Sequence, residues 1–143
     1  MTWVLILNSN KGKIFSFSKK DQLLDLVKEV HHPENKGRNE DLVSDRQGHY
    51  SSDGTGGGAY SAHTDPKEVK LDQFMLEICR WLDDARTHNK FEKLIVIASP
   101  KIHGHLSQHL DKNVEKLITQ YIQKDIVTLK QHELLPFLME HAK

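Results

Sequence analysis

The feature that most constrains the fold is a helix start at Asp65 followed by a long, one-sided apolar stripe. The Asp65 carboxylate suits an N-cap, where it accepts from free backbone N–H groups. Pro66 suits the first helical position, where its missing N–H costs nothing. Glu68 stands three residues after Asp65, as in a capping box. Leu71, Phe74, Met75, Ile78, Leu82 and Ala85 then recur at helical spacing on one face. That stripe is read as core rather than as a face for a cofactor, and it demands another apolar layer to pack on.

The flanking runs supply that layer. "TWVLIL" at the start of the chain reads as a buried strand. The turn residues of "NSNKG" connect it to "KIFSFS", where Ile14, Phe15 and Phe17 alternate with polar residues, so the chain opens with a hairpin. "KKDQLLDLVKEV" is ambiguous, because Leu23, Leu24, Val27 and Val30 fit a helical stripe while Leu24 and Leu26 also fit a strand. The reading adopted is a short helix or turn leading into a brief third strand near Val27 to His31, ended by Pro33. "KLIVIAS" is a second buried strand, predicted to be parallel and central and stopped by Pro100. "KIHGHLSQHL" and "DKNVEKL" read as short helices, "ITQYIQKDI" as a strand, and "KQHELLPFLMEH" as a closing helix that Pro136 kinks or begins. Strands separated by helices indicate an α/β domain with a mixed central sheet flanked by helices. The 143 residues fit one domain, residues 1–143, large enough to bury a core without disulfides or metals.

From Pro33 to Thr64 no period of either kind is sustained, and so long an irregular segment in a compact domain is usually functional or disordered. Lys+Arg and Asp+Glu both number 20, so overall charge does not suit a protein that coats nucleic acid, although a local basic patch does not conflict with it. Cys79 is the single cysteine, lies in the apolar helix, and is read as a buried, inert thiol suited to a reducing compartment. The apolar run from Trp3 to Leu7 has no basic residue before it and no cleavage site after it, and nothing approaches a membrane span. The expectation is a soluble, cytoplasmic protein without membrane insertion, its oligomeric state unspecified.

The long segment reaches the positive end of a helix dipole. Gly56, Gly57 and Gly58 permit close backbone approach, and with free N–H groups they can form an anion-binding surface. Asp65 competes for the helix start, so a phosphate meets the glycines just before it. No Gly-Lys-Ser/Thr follows, so this is not a Walker A loop, and no strand directly precedes, so it is not a dinucleotide fingerprint. A plain flexible loop has the same glycines. Lys36, Arg38, Arg46, His49 and His63 bring positive or protonatable groups, which Asp41, Asp45 and Asp53 offset. Tyr50 and Tyr60 are of a type that stacks on bases. His63 with Asp45 or Asp65 is the weak candidate for acid–base catalysis.

Other constellations are blander. His105 and His109 stand four residues apart, close enough on a helix to share a metal, but no third ligand is identified and surface histidines fit equally. No metal or cofactor is assigned. His31 and His32 diverge if extended. No Gly-x-Ser-x-Gly occurs, as a hydrolase nucleophile on a sharp turn would require. Trp3 and Trp81 sit in regular elements and read as packing.

"HHPENKGRNEDLVSDRQGHYSSDGTGGGAYSAHTDPKE" resembles the bacterial family of proteins required for attachment to host cells. The shared features are His32-Pro33-Glu34, Leu42 through Gly48, the cluster Gly56 to Gly58, and Thr64-Asp65-Pro66 before a long helix. "KLIVIASPKIHGHL" and "YIQKDIVTL" resemble later parts of the family pattern, so the likeness covers nearly the whole chain in order. The family in turn resembles the middle domain of archaeal and eukaryotic peptide-chain release factors. That resemblance implies a ribonuclease H-like, three-layer architecture with a Gly-Gly-Gln loop before a long helix. Here Ala59 follows Gly57-Gly58 and Gln47 lies too far back, so the resemblance implies loss of peptidyl-tRNA hydrolysis. The expected function is an intracellular binding module contacting RNA or the ribosome through Arg38, Arg46, Gly56, Gly57, Gly58, Tyr60, His63 and Asp65. The alternatives are a small hydrolase using His63 and Asp45, and a protein-interaction factor that affects attachment indirectly.

Overall fold

The structure, a computed structural model, describes residues 1–32 and 66–143. Strand β1 (Thr2–Leu7) runs antiparallel to β2 (Lys11–Ser18). The Asn8 side chain builds the turn between them, its Oδ1 accepting from the backbone N–H groups of Asn10 and Lys11 at 2.8 Å each. Strand β3 (Leu23–His31) pairs antiparallel with β2 along its length, with a register irregularity at Ile14/Phe15. After α1 (Pro66–Thr87), β4 (Lys93–Ile97) pairs parallel with β1. Helix α2 (Pro100–His109) and the short α3 (Lys112–Glu115) cross to β5 (Ile118–Ile122), which is parallel to β4. Helix α4 (Gln131–His141) closes the chain. The sheet order is β3-β2-β1-β4-β5.

Alternation along the strands gives two buried faces. Trp3, Leu5 and Leu7 of β1, with Leu94 and Val96 of β4, pack against the buried stripe of α1 and against Ile102 and Leu106 of α2. Val4, Ile6, Ile95 and Ile97 face the other way, onto Leu134 and Leu138 of α4. Both central strands are therefore apolar on each side, as expected of "TWVLIL" and "KLIVIAS". Helices cover both faces, so the architecture is a three-layer α/β arrangement around a five-stranded mixed sheet. The α1 stripe is buried as the periodicity predicted, with Cys79 added to it.

The structure decides between two pairs of alternatives and moves one boundary. Of the short helix or turn expected after β2 the structure has the turn, Lys19 to Gln22 with Gln22 at φ 55°, and the strand expected near Val27 to His31 already begins at Leu23. A helix there would leave the outer edge of β2 without backbone partners, and pairing satisfies those groups over the whole strand. Of the two positions considered for Pro136, the start of α4 is excluded and the interior, where a proline can kink a helix, is the one observed. It is exposed, as is His132 one turn back, so the carbonyl that loses its intrahelical donor lies on the wetted side. Pro100 does more than stop β4: it opens α2, behind a Ser99 cap whose Oγ accepts from Ile102 N–H at 3.4 Å.

Candidate functional site

The residues singled out in the sequence, Arg38, Asp45, Arg46, Gly56, Gly57, Gly58, Tyr60, His63 and Asp65, all lie outside the described residues. What the structure defines is the frame on which that segment is mounted. At its start, β3 delivers His32, which is 6% exposed. The His32 backbone N–H donates to the Asn10 carbonyl at 2.9 Å, and its ring lies 5.2 Å from that of Phe74, tilted by 49°. Phe74 is 1% exposed and sits in the core stripe of α1. His31, its neighbour, turns outward to Glu29 at 3.0 Å, so the two histidines diverge as extended backbone requires. At the far end the chain re-enters regular structure at Pro66, the first residue of α1. Pro66 and Phe74 are about 12 Å apart along the helix axis at 1.5 Å per residue. Both ends of the segment are thus held to the first three turns of one helix.

The start of α1 is also tied to α2 by a ladder of polar contacts between carboxylates of α1 and a lysine and two histidines of α2. Glu68 approaches Lys101 Nζ at 3.6 Å and His105 Nε2 at 3.3 Å. Asp72, one turn on, meets His109 Nε2 at 2.6 Å. His105 and His109 therefore go to different carboxylates rather than converging on one point. Among the described residues no group of three or more His, Cys, Asp or Glu side chains could hold a metal ion. The i,i+4 spacing of Glu68 and Asp72, and of Lys101, His105 and His109, was visible in the sequence, but which helix would meet which was not.

Elsewhere on α2, Ser107 Oγ lies 3.2 Å from His103 Nε2, and the His103 ring stands edge-on to Tyr121 with centroids 3.5 Å apart. Burial holds His103 below its ordinary value, against the charge of Glu115, and raises Tyr121. Burial also pushes the Cys79 thiol up to about 12, and its Sγ lies 3.6 Å from the Leu106 carbonyl, so it is an inert core thiol as expected. Trp3 and Trp81 stack on each other with centroids 5.4 Å apart, in line with the packing role read for both.

A further feature escaped the sequence reading. A cavity of about 300 Å³ opens between the sheet and α1, bounded by Lys28 and Val30 of β3 and by Glu77, Arg80 and Trp81 of α1. Its lining combines residues from either side of the long segment, and no local motif announces it.

A family model described as "Protein required for attachment to host cells" matches residues 3–138. An uncharacterized protein of Rickettsia prowazekii (strain Madrid E) is 32% identical over 84 residues, which is 57% of this chain and 56% of that protein. The matched part thus spans little more than half of that relative. A solved structure titled "Archaeal protein" superposes with a TM-score of 0.53 over 99% of this chain and 34% of its own, at 11% identity. This chain therefore corresponds to about a third of that structure, and the likeness concerns the α/β fold alone. No described helix is long and apolar enough to cross a membrane.

Proposed function

We propose that this chain, which belongs to the family of proteins required for attachment to host cells, acts as a non-catalytic binding module of the release-factor middle-domain type. The finer fold in this reading is ribonuclease H-like, and the three layers and mixed sheet are compatible with it. The module presents segment 33–65 to RNA, on the ribosome in particular. The family description names a phenotype and leaves the chemistry open.

The observation that carries the reading is the mounting of the segment. His32 is buried against Phe74, and α1 begins at Pro66, so a polar, glycine-bearing stretch is held at both ends by one rigid helix. Holding the ends lowers the ordering entropy that binding must overcome. Glu68, the first acid of α1 after the segment, already faces the Lys101 ammonium of α2, which weakens its repulsion of a phosphate, and Asp72 is engaged by His109. In this reading Arg38 and Arg46 meet phosphates, the amides of Gly56, Gly57 and Gly58 add donors, and Tyr60 stacks on a base. His63 and Asp65 border the same surface. With no glutamine after the glycines, no hydrolysis of peptidyl-tRNA is assigned.

The test is co-sedimentation with ribosomes across salt. For a contact of two or three phosphates, log affinity falls with log salt at a slope of about −2. Arg46→Gln weakens association and flattens that slope while leaving the thermal melt unchanged. Association that is absent, or equal for Arg46→Gln and the parent at every salt concentration, overturns the reading.

A further inference from the structure

We propose that the cleft between β3 and α1 is a binding site for a small apolar monocarboxylate with an aromatic body. The proposal is independent of segment 33–65 and of RNA.

The cleft has the two parts such a ligand needs. Its floor is apolar: Ile14 and Ile78 are each 1% exposed, and Val30 packs against the same core cluster. Its wall is Trp81, and that wall is fixed from behind. Trp81 stacks on Trp3 with an interplanar angle of 15°, and Trp3 stacks on Phe91 at 4.8 Å. The indole is therefore the outermost ring of a three-ring stack anchored in the core, so little side-chain entropy is lost when a second aromatic group packs on it. A volume of about 300 Å³ is at the lower end for small-molecule pockets, which suits one ring and a short tail.

The rim supplies charge. Lys28 places its ammonium 5.2 Å from the centroid of the Trp81 ring. Arg80 precedes Trp81 on α1 and lines the same opening. Among the described residues neither cation sits in an ion pair, whereas Lys11, Arg86 and Lys101 each have a carboxylate partner. Glu77 is the third charged group at the rim and also has no ion pair there. Two cations and one carboxylate around an apolar floor complement a single negative charge on an apolar body. Arg80 offers a planar pair of donors for a carboxylate, and Lys28 a point charge that can leave the indole face to meet it. A cation is disfavoured by two like charges, and an uncharged analogue forgoes both contacts. Glu77 opposes a second negative charge and can accept from an α-ammonium group where the ligand carries one.

The chain's two tryptophans are Trp3 and Trp81 and they stack on each other, so indole fluorescence reports on the cleft. The probes are 4-phenylbutyrate, 4-phenylbutanol and 4-phenylbutylamine, titrated into the full chain. Affinity is read by fluorescence, and the site by methyl NMR shifts of Ile14, Val30 and Ile78. The expected result is saturable binding of the carboxylate, with the alcohol and the amine each about tenfold weaker or more. Arg80→Gln and Lys28→Gln each weaken the carboxylate by about tenfold and bring it towards the alcohol. Glu77→Gln strengthens it a few-fold. Lys28 and Arg80 lie on different elements, so if one variant fails to fold the other still decides. Equal affinity for the three probes, shifts at methyls away from the cleft, absence of saturable binding, or indifference to both cation changes overturns the proposal.

Discussion

His32 and Phe74 form the contact on which the mounting of segment 33–65 turns, and its strength can be measured. Phe74 is 1% exposed, so truncation to alanine carries the full cost of a large core cavity, about 3–5 kcal/mol. A domain of this size has a total stability of about 5–15 kcal/mol, which makes that variant too destructive to interpret. Phe74→Leu keeps most of the volume and costs about 1–1.5 kcal/mol. His32→Ala removes a ring that is 6% exposed and whose side chain or backbone engages other groups as well, so its single-variant cost mixes several effects. A double-mutant cycle cancels whatever is not shared with Phe74. With centroids 5.2 Å apart and planes tilted by 49°, the pair has the geometry of a favourable aromatic contact, for which coupling is about 0.5–1.5 kcal/mol. Urea unfolding of the four proteins at pH 8 gives that coupling directly. A value under about 0.3 kcal/mol, the scatter expected of independent sites, refutes the claim that β3 is pinned to α1 through these rings. The same His32→Ala protein then serves the functional reading, because it leaves residues 33–65 unchanged and should nonetheless weaken ribosome association.

Cys79 should resist alkylation: with its thiol pushed up to about 12 from an ordinary 9.0, iodoacetamide at pH 8 should react about 1,000-fold more slowly than in urea, and comparable rates would show an accessible thiolate. The sign with pH follows, since the unfolded thiol ionises first; its contribution is full below about pH 9 and is lost as pH rises towards 12, which base titration of stability checks against Cys79→Ala. At Gly12 a Cβ would stand 3.0 Å from Leu7 Cδ1 and 3.3 Å from Ile78 Cδ1, both termini of buried side chains. Gly12→Ala should therefore be near neutral, the strand gain offsetting a small shift of those methyls, whereas Gly12→Val should cost about 1–3 kcal/mol in urea melts. Asp72→Asn, which replaces the carboxylate facing His109 with an amide whose Oδ1 can still accept, should cost under about 1 kcal/mol in urea melts, because both side chains are partly wetted.

How much of this was legible depends on the range of the interaction involved. The α1 stripe from Leu71 to Ala85 and the runs Trp3 to Leu7 and Leu94 to Ile97 were readable because burial repeats at the local period of each element. Residues 19–31 misled because Leu23, Leu24, Val27 and Val30 satisfy a helical period by themselves. Only the free edge of β2, a non-local partner, decides for strand. Exposure of Leu23, Leu26 and Val27 on β3 follows from the same cause, since the strand was placed by backbone pairing more than by its apolar face. The ladder of Glu68 and Asp72 with Lys101, His105 and His109 was half legible: each helix displayed its spacing, and the pairing needed the fold. The cleft was not legible at all. Lys28 and Arg80 are about fifty positions apart, with the whole polar segment between them, and only the packing of α1 on β2 and β3 brings them to one opening.

The two proposed surfaces share one rigid element, and that sets what their interaction should be. Helix α1 carries the end of the segment at Pro66 and its first charged rung at Glu68, and it carries Trp81 at the cleft. From Glu68 to Trp81 the helix advances about 20 Å, beyond the range of about 7–10 Å within which substitutions usually couple, whereas at the other end of the segment His32 stands only two residues past Val30 and packs on Phe74, one turn before Ile78. The contacts that lie between, Phe74, Met75 and Ile78, are buried, and neither a charge removed at the rim by Arg80→Gln nor one removed from the segment by Arg46→Gln alters them. Arg80→Gln should therefore leave ribosome association unchanged, and Arg46→Gln should leave 4-phenylbutyrate affinity unchanged. If either substitution moved the other measurement by more than about twofold, the two surfaces would have to share a contact, and the separation of function along α1 argued above would fail.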